Sequence, residues 1–210
     1  MRNHFVRSYG ADRSKTVVWA NPVDEERIRG SVNPGDTNET IGVSGRRFLA
    51  VGRLERQKNF GQLLEWFSLY AKAEDVLTIL GEGSDRDSLA RKTLALGIEG
   101  QIRLQGYVAN PFQVMAESDC LLISSRWEGM PNVALEALCL GLPVIATKSA
   151  GGIAELAKRS TLVQVAADGS DFMRQLSQVE RNQKPRKNML PDCYSLSRSC
   201  DEFIRLVFHD

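Results

Sequence analysis

Histidine is nearly missing from this sequence. Of 210 residues only His4 and His209 are histidine, and they lie at the two ends. A catalytic histidine inside the domain is therefore excluded, and so is a multi-histidine metal cluster. The four cysteines, Cys120, Cys139, Cys193 and Cys200, form no Cys-x-x-Cys pair, which argues against zinc. Cys120 and Cys139 sit in apolar segments and read as small core residues. A reducing, cytoplasmic setting is expected, and in it the Asn38-Glu39-Thr40 sequon has no role. No apolar run approaches the ~20 residues of a transmembrane segment, and the opening MRNHFVRSYGADRS lacks the apolar core of a secretion signal. Neither sign of charge is in excess. The 27 Lys and Arg against 26 Asp and Glu leave a net charge of +1, so bulk electrostatics makes no case for nucleic acid or an anionic membrane. What remains is a globular composition, 42% hydrophobic and 25% charged, long enough for one large domain or one domain with extensions.

Between about Arg47 and Arg181 the sequence alternates strand and helix signals. Short apolar runs without strict alternation mark strands covered on both faces: Phe48–Val51, Val76–Leu80, Ile102–Gln105, Cys120–Ser124, Val144–Thr147 and Leu162–Val165. Phe60, Leu63, Leu64, Phe67 and Ala71 recur at helical spacing and put one apolar stripe on the helix between the first two. Ser84 and Asp87 have the spacing of a capping box, and Gly141-Leu142-Pro143 stops the helix that starts near Asn132. The pattern predicts an α/β fold, a Rossmann-like parallel sheet with helices on both faces and right-handed crossovers. The flanks are polar. Residues 24–46 read as linker and loop, and residues 180–192 as a second, basic connection. Beyond it Cys200, Phe203, Ile204, Val207 and Phe208 form a helical apolar stripe that must dock on this domain or on a neighbour. The expected organisation is 1–46 as linker and remnant of a preceding domain, 47–181 as the Rossmann-like domain, and 182–210 as a connection with an amphipathic helix.

Ligands of open parallel sheets bind at the carboxyl ends of the strands, and the chemistry-bearing residues fall there. Gly52-Arg53-Leu54 with Lys58-Asn59 follows the first strand. Arg53 as a forked donor and Lys58 as a point charge would match a diphosphate, although two solvated loop charges explain the same residues. Gly81-Glu82-Gly83 permits close backbone approach, as would a plain turn. Asp85-Arg86-Asp87 could be mistaken for a metal site, but a helix N-terminus accounts for both aspartates. Gly106-Tyr107-Val108 could offer backbone to a base edge. Gly129, Met130, Pro131 and Asn132 open a helix whose free N–H groups suit an anion, with Pro131 at its first position.

Inside that helix stands Glu136, among Val133, Ala134, Leu135, Ala137, Leu138, Cys139 and Leu140. A carboxylate on an apolar helix needs a partner, and no Lys or Arg lies within a turn. Asn132 and Glu136 share a face, and Glu136 is roughly 7–8 Å along the axis from the helix start. That suits a ligand with phosphate at the helix end and a ribose beside the shaft. Glu128 lies in the preceding turn. Ser149-Ala150-Gly151-Gly152, with Glu155, makes a further glycine-rich turn on the same edge.

Together these residues resemble the donor-binding domain of the family 4 glycosyltransferases, which have the GT-B fold. The likeness is strongest in EGMPNVALEALCLGLPVIAT, with its Glu-x7-Glu spacing of Glu128 and Glu136. It is next strongest in GRLERQKN, Gly52 to Asn59, and extends over VVWANPVD, Gly81-Glu82-Gly83 and Ala150-Gly151-Gly152. The resemblance implies transfer of a sugar from a nucleotide-diphospho-sugar, a UDP-sugar favoured, with retention at the anomeric carbon and with no metal or other cofactor. It implies that Arg53 and Lys58 neutralise the departing diphosphate, that Glu136 holds the ribose hydroxyls, and that Glu128 holds the sugar beside the reacting carbon. Arg53, Lys58 and Glu128 would be catalytic. Gly52, Gly81, Gly129, Met130, Pro131 and Asn132 would line the donor, and Tyr107 and Val108 would flank the base.

Complete enzymes of this kind have two similar domains. The acceptor, a glycan or lipid-linked sugar, is expected on a separate N-terminal domain that is absent here. The chain is then a cut fragment, a truncated reading frame or half of a split enzyme with a partner chain. Its expected place is the cytoplasm, or the inner face of the membrane as a peripheral protein. The main alternative is a non-catalytic nucleotide-sugar-binding module completed by another chain. An epimerase or phosphorylase of the same fold, or a glycosidase using the two carboxylates, is less well supported: no lysine motif suggests a pyridoxal group, and Glu136 sits on a buried helix.

Overall fold

The computed structural model describes residues 2–14, 16–17, 19, 21–33, 44–181 and 186–208. The Asn38 sequon, the side chain of His4 and His209 lie outside them. Six strands follow in order: β1 Arg47–Val51, β2 Val76–Leu80, β3 Ile102–Gly106, β4 Cys120–Ile123, β5 Val144–Thr147 and β6 Val163–Ala166. Each limit is within one residue of that expected. The helices are α1 Arg2–Tyr9, α2 Glu25–Gly30, α3 Phe60–Tyr70, α4 Arg86–Ala95, α5 Pro111–Glu117, α6 Asn132–Cys139, α7 Ile153–Ala157, α8 Gly169–Ser177 and α9 Leu196–Phe208, with a 3-10 turn at Asp192–Tyr194.

All six strands are parallel, in the order β3-β2-β1-β4-β5-β6. The chain moves outward from β1 through β2 to β3, returns to the other side of β1, and continues through β4 and β5 to β6. The reversal leaves a switch point between β1 and β4, the place where open parallel sheets bind ligands.

The central strands are apolar on both faces because both are covered. Leu49, Leu121, Ile123, Val144 and Ala146 point to one side, against the buried face of α6, Ile153 and Leu156 of α7, and Met115 of α5. Their neighbours Phe48, Ala50, Leu77, Ile79, Cys120, Leu122 and Ile145 point to the other, against Leu63, Leu64 and Phe67 of α3 and Phe172 and Leu176 of α8. Cys120 and Cys139 are buried as expected, and burial pushes each thiol up to about 12. Neither forms a thiolate at neutral pH.

Two arginines, Arg46 buried and Arg186 partly buried, fasten helix ends. Arg46 makes a forked pair with Asp75, Nη2 to Oδ2 at 2.6 Å and Nε to Oδ1 at 3.1 Å, while its Nη1 donates to the carbonyls of Leu176, Ser177 and Val179 after α8. Arg186 donates to the carbonyls of Met115, Ala116, Ser118 and Leu140. Burial lowers its guanidinium to about 10, against the pull of Asp119. The basic connection after residue 180 thus carries a structural residue.

The polar stretch beginning at Asp24 is not all loop. Asp24 accepts a hydrogen bond from Arg27 N–H and caps α2, with Glu25 and Glu26 in its first turn. Ile28 is buried, and Arg29 Nη1 donates to the Cys139 carbonyl at the end of α6. Next to α2, Val23 pairs with Ser195 in an isolated parallel bridge. The capping box at Ser84 does not form: α4 begins at Arg86, with Asp85 in the cap position and no side-chain cap. In α9 only Ser199 is buried, and Phe203, Ile204, Val207 and Phe208 are about half exposed or more. The ring of Trp19 meets Phe203 edge-on at 5.7 Å.

Candidate functional site

The loops after β1 and β4 meet at the switch point. The loop after β1 is zipped to the loop after β2 by backbone hydrogen bonds that continue beyond the sheet. Gly52 N–H donates to Leu80 O at 2.9 Å, Leu54 N–H to Glu82 O at 2.9 Å, Asp85 N–H to Leu54 O at 2.9 Å and Gly81 N–H to Gly106 O at 2.7 Å. Gly81, at φ +134°, is required here because a Cβ would lie 2.0 Å from the Gly52 carbonyl oxygen. The close approach that Gly81 permits is therefore taken up by backbone.

Arg53 leaves this loop into solvent and, among the described residues, pairs with Glu55 at 3.1 Å in an exposed pair. Such a pair contributes about 0–1 kcal/mol, so the guanidinium is readily redirected. Lys58 turns inward. Its Nζ lies 2.5 Å from Glu128 Oε1, with both side chains mostly buried. Ser125 Oγ donates to the same oxygen at 2.8 Å. Oε2 of Glu128 has no hydrogen bond among the described residues. The sequence puts Lys58 and Glu128 on one edge, and the structure adds that they pair. An ammonium has three donors, so two remain on Lys58.

The turn that carries Glu128 is held from two sides. Gln57 Nε2 donates to Trp127 O at 2.9 Å, Arg126 N–H to Gln57 O at 2.8 Å, and Ser124 Oγ to Lys58 O at 2.7 Å, all toward the β1 loop. From the β5–α7 loop, Thr147 and Ser149 hydroxyls both donate to Ser125 O at 2.8 Å, and Gly152 N–H donates to Gly129 O at 2.6 Å. Gly151, at φ +59°, leaves no room for a Cβ, which would stand 2.1 Å from the carbonyl oxygens of both Glu128 and Gly129. Met130 packs over Gly152.

Pro131 is buried and occupies the cap position of α6, one residue earlier than expected, and gives no side-chain cap. The N–H groups of Asn132 and Val133 have no partner among the described residues. Asn132 is exposed, and its Oδ1 accepts from Asn21 Nδ2 at 2.9 Å, tying the N-terminal linker to the helix start. Glu136 is half-buried and has no hydrogen bond among the described residues. Burial pushes its carboxyl up, and only the more distant charge of Arg27 opposes this. Gly106 ends β3, the Tyr107 ring beyond it is 81% exposed, and Val108 packs partly on the core. The site is an open shelf. Hollows also occur beside Arg56, Asn59 and Arg126 and, away from this edge, beside Glu25, Cys193 and Arg198.

Lys58 paired with Glu128, Arg53 in the loop after β1 and the uncapped start of α6 thus follow the carboxyl ends of two adjacent parallel strands, with Glu136 five residues into α6. Residues 38–191 match the family model for glycosyl transferases group 1, and the chain belongs to that family. Its sheet and helices form the Rossmann-like half of a GT-B fold, of the C-terminal type. Among curated relatives, it is 28% identical over 188 residues to an N-acetylgalactosamine-N,N'-diacetylbacillosaminyl-diphospho-undecaprenol 4-alpha-N-acetylgalactosaminyltransferase of Campylobacter jejuni, covering 87% of this chain and 50% of the relative. It is 31% identical over 178 residues to a lipopolysaccharide 1,6-galactosyltransferase of Salmonella typhimurium, covering 79% and 49%. A solved structure of HepE from Anabaena in complex with UDP superposes with a TM-score of 0.83 at 18% identity, over 100% of this chain and 61% of the other. The chain spans about half the length, or less, of the curated relatives it matches.

Proposed function

We propose that this chain is the donor-binding half of a glycosyltransferase that moves a sugar from a nucleotide-diphospho-sugar to a glycan or lipid-linked acceptor, with retention and without a metal. The observation that carries the reading is Glu136: a half-buried carboxylate five residues into α6, with no hydrogen bond among the described residues, on the helix that follows the turn carrying Glu128 and its partner Lys58. A carboxylate in that position is matched by vicinal hydroxyls, and a ribose supplies them. The diphosphate would then lie at the start of α6, where the free N–H groups of Asn132 and Val133, the remaining donors of Lys58, and Arg53 meet its charge. Charge developing on the leaving diphosphate would be met by the same groups already in place.

Glu128 would accept from the sugar hydroxyls through Oε2, and the base would rest near Tyr107 and Val108. A UDP-sugar is favoured, supported by the UDP complex of the HepE structure. The acceptor would be held by a second domain or a partner chain, as the length of the relatives suggests. Relatives named for lipopolysaccharide and diphospho-undecaprenol glycan assembly support a lipid-linked acceptor at the cytoplasmic face of a membrane. No described helix is long and apolar enough to cross one. Calorimetry of the folded chain with uridine and guanosine diphosphates and their sugars tests the reading. Micromolar to millimolar binding of one nucleotide class is expected, and absence of any binding at millimolar ligand refutes it.

A further inference from the structure

We infer that Ser125 is a positioning residue that decides which oxygen of Glu128 is presented to the ligand. The inference rests on the nucleotide-sugar reading above and goes beyond it to a residue outside the ligand contacts. Ser125 is 2% exposed, so its hydroxyl serves the protein interior. It donates to Glu128 Oε1 at 2.8 Å, and Lys58 Nζ converges on that same atom at 2.5 Å. With two donors on one oxygen, rotation about the last carboxylate torsion is restrained, and Oε2 is the oxygen left to accept from a ligand. Lys58 alone could not do this, because an ammonium on a flexible stem follows whichever oxygen is nearer.

The backbone of Ser125 is fixed as firmly as its hydroxyl. Its carbonyl receives both the Thr147 and the Ser149 hydroxyls, at 2.8 Å each, and Gly151 and Gly152 brace the Glu128 and Gly129 backbone from the same loop. Two strand-end loops therefore converge on the orientation of one carboxylate. A side chain needed only for packing would not require a donor aimed at the oxygen already bound by Lys58.

Ser125→Ala removes the donor with little change in volume. Calorimetry on the full chain with UDP and with the UDP-sugar that binds best separates the roles. For Ser125→Ala the UDP affinity is expected to stay within about twofold, while the gain in affinity that the sugar contributes falls by about five- to tenfold, the size of one ordinary hydrogen bond. In a Glu128→Gln background the same replacement is expected to change nothing further, because Ser125 acts through Glu128. Equal losses for UDP and UDP-sugar, an unchanged sugar increment, or additive effects of the two replacements would overturn the assignment. Failure of the unaltered chain to bind either ligand would instead overturn the nucleotide-sugar reading, and Ser125 with it. Thermal melts of each variant separate unfolding from a local effect.

Discussion

Glu136→Gln keeps the shape of the side chain and removes its charge, and its two consequences have opposite sign. Burial raises the Glu136 carboxyl in the folded chain, with Arg27 only partly offsetting it. A carboxyl raised in the fold favours the protonated form there. Its contribution is most favourable below the unfolded value, near pH 4, and declines as pH rises through the folded value. At pH 7 the free Gln variant should therefore be as stable as the parent or more so, and the difference should vanish in acid. Ligand binding should move the other way. The carboxylate would accept from ribose hydroxyls in charge-assisted bonds worth about 1.5–3 kcal/mol each, against about 0.5–1.5 for a neutral acceptor. Since the amide oxygen still accepts, a net loss of about 1.5 kcal/mol, roughly tenfold in Kd, is expected for UDP. Calorimetry at pH 7, with thermal melts at pH 4 and pH 7 in the absence of ligand, measures both. Unchanged UDP affinity, or a loss of stability that parallels the loss of binding, would show that Glu136 serves the fold.

Lys58→Met leaves Glu128, whose side chain is 11% exposed, without its cation. Removing one partner of a buried pair costs about 3–5 kcal/mol, and the partial exposure here brings the expected loss in urea melts to about 2. Adding Glu128→Gln should recover part of that loss. Gly151→Ala forces a Cβ against two carbonyls at a positive φ and should lower stability by more than about 2 kcal/mol; an unchanged urea midpoint would show that the loop simply moves aside. For Asp75, burial pushes the carboxyl up, but the Arg46 guanidinium and the backbone N–H groups of Arg46 and Lys72 outweigh it and hold it below the usual range. Its stabilisation is complete above the unfolded value, near pH 4, and is lost as pH falls through the lower folded value. Asp75→Asn should therefore destabilise at pH 7 and flatten the acid limb of the stability curve, and a variant with the parent's acid limb would refute this.

The central strands were legible because each is a short run apolar on both faces, and the edge strands β3 and β6, which carry Arg103, Gln105 and Gln164, because they recur at the same spacing between helical stretches. Helix α2 was not, because its single buried residue, Ile28, is too little for a periodicity; the signal that could have shown it is the Asp24 cap followed by two acids. Ser84 and Asp87 have capping-box spacing, yet the backbone pairing of Asp85 with Leu54 starts the helix later. In the site, the residues were readable one by one but their mutual contacts were not. Lys58 and Glu128 are brought together by the adjacency of β1 and β4, strands separated in sequence by two others. Strand order follows from the direction of each crossover, which local composition does not encode. The contact of Ser125 is hidden from the sequence for the same reason, although its place three residues before Glu128 in a tight turn is a usable hint.

The backbone ladder that carries β1 and β2 onward into their loops has a thermodynamic corollary. The amides of Gly52, Leu54, Gly81 and Asp85 are engaged as firmly as strand amides, so in hydrogen exchange they should open with the sheet and not with the surface. A ligand reaching this edge then meets a lining ordered beforehand. It need supply little of its binding free energy to quiet the loops, and what it gains from the cations and the helix start is available for discriminating one ligand from another.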